Sequence, residues 1–205
     1  NAIWEKSENM MRTVAQQAGL EVYEGIGEAA FYAPKLDFMA YDSLGREWQL
    51  ATIQLDLNFA DRFDLKYIDK DGSDKRPVII HRAILGSVER FMSILIEHYA
   101  GAFPLWLAPV QLAMLPISEH ELVSAQQFAR ELTLAGIRVE VDESANTLGK
   151  KMVHARELKV PYMAIIGKKE VETNTLTLKN RAGEQEVLTL EEEIAKLTKE
   201  ARSKL

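Results

Sequence analysis

The stretch "IIHRAILGSVERFMSILIEHY", residues 79–99, opens as an apolar, β-branched run and closes as an amphipathic helix. With Val78, the residues Ile79 and Ile80 read as a short buried strand. Gly86-Ser87 makes the turn, and from Ser87 to Tyr99 an apolar stripe of Val88, Phe91, Met92, Leu95, Ile96 and Tyr99 predicts a helix. His81, Arg82, Glu89 and Arg90 surround this strand-to-helix junction, and folding alone requires none of them. A guanidinium in the first turn or so of such a helix can clamp a phosphate while the N–H groups near Gly86 and Ser87 point at it. The plainer alternative is a solvated Glu-Arg pair, the commoner fate of such residues. A lone histidine at the end of an apolar run is likewise more often a hydrogen-bonded core residue than a metal ligand.

Upstream, "PKLDFMAYDSLGREWQLATIQLDLNF" alternates as two strands around an Asp42-Ser43-Leu44-Gly45 turn, with Leu36, Phe38 and Ala40 on one face and Lys35 and Asp37 on the other. Gln49, Thr52 and Gln54 share the second arm, and 52 and 54 point to one face. If that face meets solvent they carry no chemistry. "DKDGSDKRP" reads as a polar loop, and "IWEKSENMMRTVAQQAGL" as a helix ending at Gly19. The opening Asn1-Ala2 reads as residues left by cloning, and a helix begun without a cap suggests a piece of something longer.

Beyond Gly101 and Pro104 the pattern changes, which puts a domain boundary near 104–109: residues 1–105 form one domain and 106–205 a second. There the elements alternate. "WLAPVQLAMLPI" reads as a strand, and "SEHELVSAQQFARELTLAG" as a helix with a Ser118–Glu121 capping box. "IRVEVD" is a strand, 147–159 a helix and "PYMAIIG" a buried strand. A hairpin of "TLTLKN" and "EQEVLTL" turns at Arg181-Ala182-Gly183. A final helix, capped by Thr189 and Glu192, buries Leu190, Ile194, Leu197 and Ala201. The fold class is α/β: an antiparallel-sheet α+β piece followed by a mixed-sheet α/β domain.

With 205 residues, 47% hydrophobic and 27% charged, the chain can bury a real core. It has no cysteine, which excludes disulfides and thiolate metal cages and fits a reducing cytosol. No apolar run reaches the roughly 18 residues a membrane span needs, so no membrane partner is expected. The net charge of −6 hides a basic window: residues 150–181 carry eight Lys and Arg against three acids. Such a patch suits a polyanion, or else a solvated helix face.

Four blocks, "GEAAFYAPKLDF", "REWQLATIQLDLNF", "PVIIHRAILGSVERF" and "GAFPLWLAPVQL", stand in an order and spacing that resemble class II threonyl-tRNA synthetases, from about residue 24 to the end. "HRAILGSVERF" resembles that family's motif 3. The resemblance implies ligation of threonine to tRNA-Thr through threonyl-adenylate, with ATP, L-threonine and tRNA-Thr as partners, in a homodimeric, cytoplasmic parent enzyme. Arg90 and Lys35 match catalytic residues, and Gln49, Thr52, Gly86, Ser87 and Arg90 match the ATP site. Tyr32, Gln54 and Ala83 match the threonine pocket. His81 matches one of three ligands of a catalytic Zn²⁺, and Mg²⁺ accompanies the ATP. A metal that takes the threonine hydroxyl rejects valine, which leaves it unsatisfied.

In the family, motifs 1 and 2, the other two zinc ligands and the editing module lie upstream of the residues matched here. The expectation is therefore a fragment holding half an active site, inactive alone, with zinc absent or weak at His81. The second half resembles the family's anticodon-binding domain, with Glu170, Lys179 and Arg181 as anticodon-reading candidates. Four positions depart from the family pattern: Ser144-Ala145 replace an Arg-Asn pair, Lys179 replaces an arginine, and Ala33 replaces a glycine before Pro34. A lysine gives a point charge where an arginine gives a two-pronged fork. Two other readings remain: a non-catalytic synthetase-like RNA-binding or regulatory module, against which Lys35, Gln54, His81 and Arg90 weigh, and another class II synthetase such as the prolyl enzyme.

Overall fold

The computed structural model describes residues 2–203. The chain divides into two compact units, Asn1–His98 and Tyr99–Leu205. Asn1 lies outside the described residues, and Ala2 already belongs to a helix. Among the described residues no helix is long and apolar enough to cross a membrane.

In the first unit, α1 (Ala2–Gln17) stops just short of Gly19. Strands β1 (Lys35–Tyr41) and β2 (Glu47–Asp56) form the expected hairpin. Its turn is organised by Asp42, whose Oδ1 accepts the Leu44 and Arg46 N–H groups and whose Oδ2 accepts from Arg46 Nε and Trp48 Nε1. Burial works to raise this carboxyl's pKa, but the four hydrogen bonds outweigh it and leave it well below the usual range. After α2 (Phe59–Arg62), β3 (Tyr67–Ile68) pairs with β4 (Asp74–Lys75), so the expected polar loop is in part a small hairpin. Strand β5 (Ile79–Ala83) adds antiparallel to β2, giving the order β1-β2-β5, and α3 (Val88–His98) follows.

Two expectations fail here. Strand β5 is not buried: Val78 and Ile80 are exposed. Among the described residues it is an edge strand whose one neighbour is β2, so only alternate residues are covered. The α3 stripe also splits. Phe91, Ile94 and Leu95 are half-buried, whereas Val88, Met92 and Ile96 lie exposed on an adjoining line.

The second unit holds β6 (Leu112–Pro116), α4 (Leu122–Leu134), β7 (Val139–Val141), α5 (Leu148–Glu157), β8 (Tyr162–Ile166), α6 (Lys168–Thr173), β9 (Thr175–Asn180), β10 (Gln185–Thr189) and α7 (Leu190–Ser203). Its mixed sheet runs β10-β9-β8-β6-β7, with β6 parallel to β7 and β8 and the remaining pairs antiparallel. On one face Leu112, Met114, Leu176 and Leu178 pack with Ala125 and Leu132 of α4 and Leu190 and Leu197 of α7. On the other, Ala113, Leu115 and Met163 pack with Ala155 of α5. β6 is shorter than the strand expected over 106–117. The 104–108 segment instead turns on the Pro104 carbonyl, and Arg138 holds the Ala108 and Trp106 carbonyls at 2.9 Å each. Both capping boxes form, at Ser118–Glu121 and at Thr189–Glu192.

Candidate functional site

Pairing in the first sheet runs Lys35↔Gln54↔His81 in one row and Asp37↔Thr52↔Ala83 in the next. Cross-strand partners share a face and alternate residues repeat it, so these six side chains stand on one side of the sheet. A β-bulge brings in a seventh. Phe38 pairs with Ala51 but Met39 with Gln49, which leaves Leu50 as the extra residue. Gln49 then turns to the same side and donates from Nε2 to Asp37 Oδ1 at 2.9 Å. Asp37 Oδ2 accepts from Lys35 Nζ, so this carboxylate ties both candidates together. Tyr32 joins through its hydroxyl, 2.6 Å from Gln54 Oε1. Thr52 Oγ1 is buried and has no hydrogen-bond partner among the described residues. Ala33, where the family pattern has glycine, is fully buried, and its N–H bonds to the Ala30 carbonyl at 3.2 Å.

The junction after β5 needs its glycine twice. Gly86 has φ +58°, and a Cβ there would meet the Leu50 carbonyl oxygen at 2.7 Å. This close approach presses the turn onto the bulged strand. Arg90, one turn into α3, donates to the Gln49 carbonyl at 3.1 Å, and its guanidinium lies 5.5 Å from the Trp48 ring centre. A guanidinium carries five N–H donors, so most remain for an anion. Ser87 Oγ accepts the Arg90 N–H at 3.3 Å and donates to Glu89 at 2.8 Å. Glu89 therefore pairs with Ser87, not with Arg90.

At the far end of the same face, His81 Nε2 lies 2.9 Å from Asp56 Oδ2. Asp56 is fully buried, and its Oδ1 accepts the N–H groups of Asn58 at 2.8 Å and Phe59 at 3.0 Å. Burial would raise its pKa, but the bonds from His81, Phe59 and Asn58 outweigh that and lower it. The Tyr32 and Phe59 rings stack 5.4 Å apart and both present to the imidazole edge-on, at 5.8 and 6.1 Å. Asp37, which alternation places beside Lys35, and Trp48, Asp56 and Phe59 join the site without being candidates from residue type. Alternation through 52, 54 and 56 was the signal available for Asp56.

Zn²⁺ in a catalytic site takes about three protein ligands. Among the described residues no group of three or more His, Cys, Asp and Glu gathers to hold a metal. His81 can supply one donor, and these residues alone do not make a zinc site.

In the second unit, Glu170 Oε2 accepts the Gly167 N–H at 3.0 Å and Oε1 accepts from Thr177 Oγ1 at 2.9 Å. Lys179 is two residues further along β9, on the face that Thr177 shares. Arg181 is committed elsewhere, with its fork on the carbonyls of Lys159 and Phe103. Two more of the basic window are tied to main chain: buried Lys151 donates to the Pro116 and Asp142 carbonyls at 3.1 and 2.9 Å, and Lys159 to that of Ala100. These three bases keep their charge, but fewer of their N–H donors are free to reach an anion than the residue count suggests. A cleft of about 300 Å³ opens beyond the carboxyl ends of β6 and β7, lined by Ile117, Ser144, Ala145, Asn146 and Lys151 among others. Ligands of open α/β sheets bind at such ends.

Residues 1–99 match the tRNA synthetase class II core domain (G, H, P, S and T), and residues 111–200 match an anticodon binding domain. The threonine–tRNA ligase of Synechococcus elongatus is 50% identical over 202 residues, which is 98% of this chain and 33% of that protein. That of Thermotoga maritima is 48% identical over 184 residues, 90% of this chain and 29% of the relative. The crystal structure of the RNA binding domain of threonyl-tRNA synthetase from Cryptosporidium parvum superposes with a TM-score of 0.88 at 41% identity, covering 97% of this chain and 51% of that one. The chain spans about a third of the length of the curated relatives it matches, 33% in the Synechococcus case. With a core-domain match over residues 1–99 followed by an anticodon-domain match over 111–200, and identity that runs through both, the chain is a class II tRNA synthetase core fragment joined to an anticodon-binding domain and is similar to the threonine–tRNA ligases.

Proposed function

We propose that this chain is part of a cytoplasmic, homodimeric threonine–tRNA ligase, in which residues 1–105 contribute one wall of the catalytic site and 106–205 bind the tRNA-Thr anticodon. The observation that carries the reading is the single sheet face that joins Tyr32, Lys35, Gln49, Thr52, Gln54, His81 and Ala83 and ends at Gly86, Ser87 and Arg90.

In the reaction, a threonine carboxylate oxygen attacks the α-phosphorus of ATP and pyrophosphate leaves. The acyl group then passes from AMP to a terminal ribose hydroxyl of the tRNA. No protein nucleophile is required, so the protein works by position and charge. Arg90, anchored by Gln49 and Trp48, offers its free N–H groups to ATP phosphate oxygens. Gln49 and Thr52 line the nucleotide, and the unpaired Thr52 hydroxyl suits a polar ligand atom. Lys35, steadied by Asp37, brings positive charge to the adenylate. Tyr32 and Gln54 hold threonine beside Ala83, whose small side chain leaves room. His81 would serve as one donor to a metal completed by residues outside this chain, and Mg²⁺ would accompany the ATP.

In the anticodon-binding half, each Glu170 oxygen already accepts one internal bond but keeps a second lone pair for a base N–H. Lys179 supplies a nearby charge.

The parent enzyme should exchange pyrophosphate into ATP with L-threonine, and Arg90→Ala or Lys35→Ala should each lower that rate on the order of 10²-fold. This chain alone should give no exchange. Exchange driven by proline, or indifferent to Arg90, would overturn the catalytic assignment. For the anticodon-binding half, binding of a tRNA-Thr anticodon stem-loop at two salt concentrations, with a changed anticodon as control, should be selective and should weaken on Glu170→Gln. Binding indifferent to the anticodon would refute that half alone.

A further inference from the structure

The Asp56–His81 pair settles which imidazole nitrogen is left open. The Asp56 carboxylate is fully buried, its Oδ1 is taken by two backbone N–H groups, and its Oδ2 meets His81 Nε2 at 2.9 Å. A carboxylate can only accept, so Nε2 must carry the proton. In a neutral imidazole the other nitrogen, Nδ1, then holds the lone pair. Nδ1 has no hydrogen-bond partner among the described residues, and the His81 side chain remains 41% exposed. The Tyr32 and Phe59 rings, edge-on at 5.8 and 6.1 Å, oppose rotation of the ring. Asp56 holds Phe59 as well, through its N–H, so one carboxylate sets both the hydrogen bond and one of the flanking rings.

We propose that Asp56 is a positioning residue that locks His81 as the Nε2–H tautomer, so that Nδ1 is the donor atom this sheet face offers to an electron-pair acceptor such as a zinc-class ion. The lock is a property of this chain, and only the identity of the acceptor rests on the ligase reading. A carboxylate behind the far nitrogen is the usual way a ligand histidine is oriented.

Long-range ¹H–¹⁵N spectra of the uniformly labelled chain at alkaline pH test it, with His81 assigned by the signals lost in His81→Gln. The wild-type protein should show Nε2 protonated and Nδ1 unprotonated, at a ratio of at least about ten to one, since a hydrogen bond to a charged group exceeds the ~1.4 kcal/mol such a ratio needs. Asp56→Asn, which keeps an oxygen for the Asn58 and Phe59 N–H groups, should bring the ratio below about threefold. A purely structural Asp56 would leave it unchanged, and that result overturns the proposal. If Asp56→Asn fails to fold, the wild-type spectrum still decides, because a dominant Nδ1–H tautomer also overturns it. Failure of threonine activation in the parent enzyme, with the tautomer as expected, would refute the ligase reading and leave the lock standing.

Discussion

Glu193 is a carboxyl placed inside the second unit's apolar core, and replacing it gives a quantitative test of that placement. It lies on α7 between Leu190 and Leu197, is fully buried, and neither carboxyl oxygen finds a hydrogen-bond partner among the described residues. Burial pushes its pKa from 4.5 up to about 8. Because the folded value exceeds the unfolded one, the stability tied to this group is fully present below pH 4.5 and is lost as pH rises towards 8. Each pH unit in that window costs ~1.4 kcal/mol, so the loss is on the order of 3 kcal/mol at pH 7 and 4 kcal/mol at pH 8. Glu193→Gln keeps the shape of the neutral acid and cannot ionise. Urea unfolding at pH 5 and pH 8 should therefore show wild-type protein losing about 3–4 kcal/mol more than the variant between the two conditions. Trp106, the only tryptophan of the second unit, can report the transition once Trp4 and Trp48 are changed to Phe. Taking the difference between proteins cancels the other titrating groups. Parallel pH dependences, within about 0.5 kcal/mol, would mean that Glu193 is solvated and that this account of α7 packing is wrong.

Other expectations follow from the same geometry. Gly86→Ala should destabilise the first unit by at least ~1–3 kcal/mol from its φ alone, with the Leu50 carbonyl clash added, as a fall in its melting temperature would show. Lys151→Met should cost the second unit on the order of 2–3 kcal/mol in urea, because two main-chain carbonyls lose a charged donor. Lys168→Ala, at an exposed site, should leave stability within ~0.5 kcal/mol and reduce the salt dependence of RNA binding instead. Arg181→Lys should loosen the segment that carries the Lys159 and Phe103 carbonyls, seen as faster amide exchange around them, without altering anticodon preference.

Much was legible in the chain alone because it is local. Alternation at 35–41 and 47–56 specified a hairpin with Lys35 and Asp37 on one side and Leu36 and Phe38 on the other, and the pairing agrees. Side-chain caps at Ser118 and Thr189 depend on residues three positions away and formed as read. The words around motif 3 were specific enough to suggest a synthetase, and the family matches over 1–99 and 111–200 agree with that resemblance.

What required the tertiary structure is long-range or depends on two periodicities at once. The bulge at Leu50 turns Gln49 towards Asp37, which simple alternation cannot foresee because an extra residue reverses every side chain beyond it. On α7 the apolar period predicts Ile194, which packs half-buried against the core, and gives no reason to bury Glu193, which the fold encloses as well. Residue type could not say which bases are tethered: Lys151, Lys159 and Arg181 read as a polyanion footprint but each turns donors to carbonyls brought close only by the fold. Asp56 looked like one more polar residue in a strand and gained its meaning from β5, whose pairing with β2 sets His81 against it across 25 residues of chain. Sequence by itself determined the elements and the faces they offer, through periods a few residues long; the partners that give a charge or an imidazole its role came from strand order and packing, which act over distances those periods do not encode.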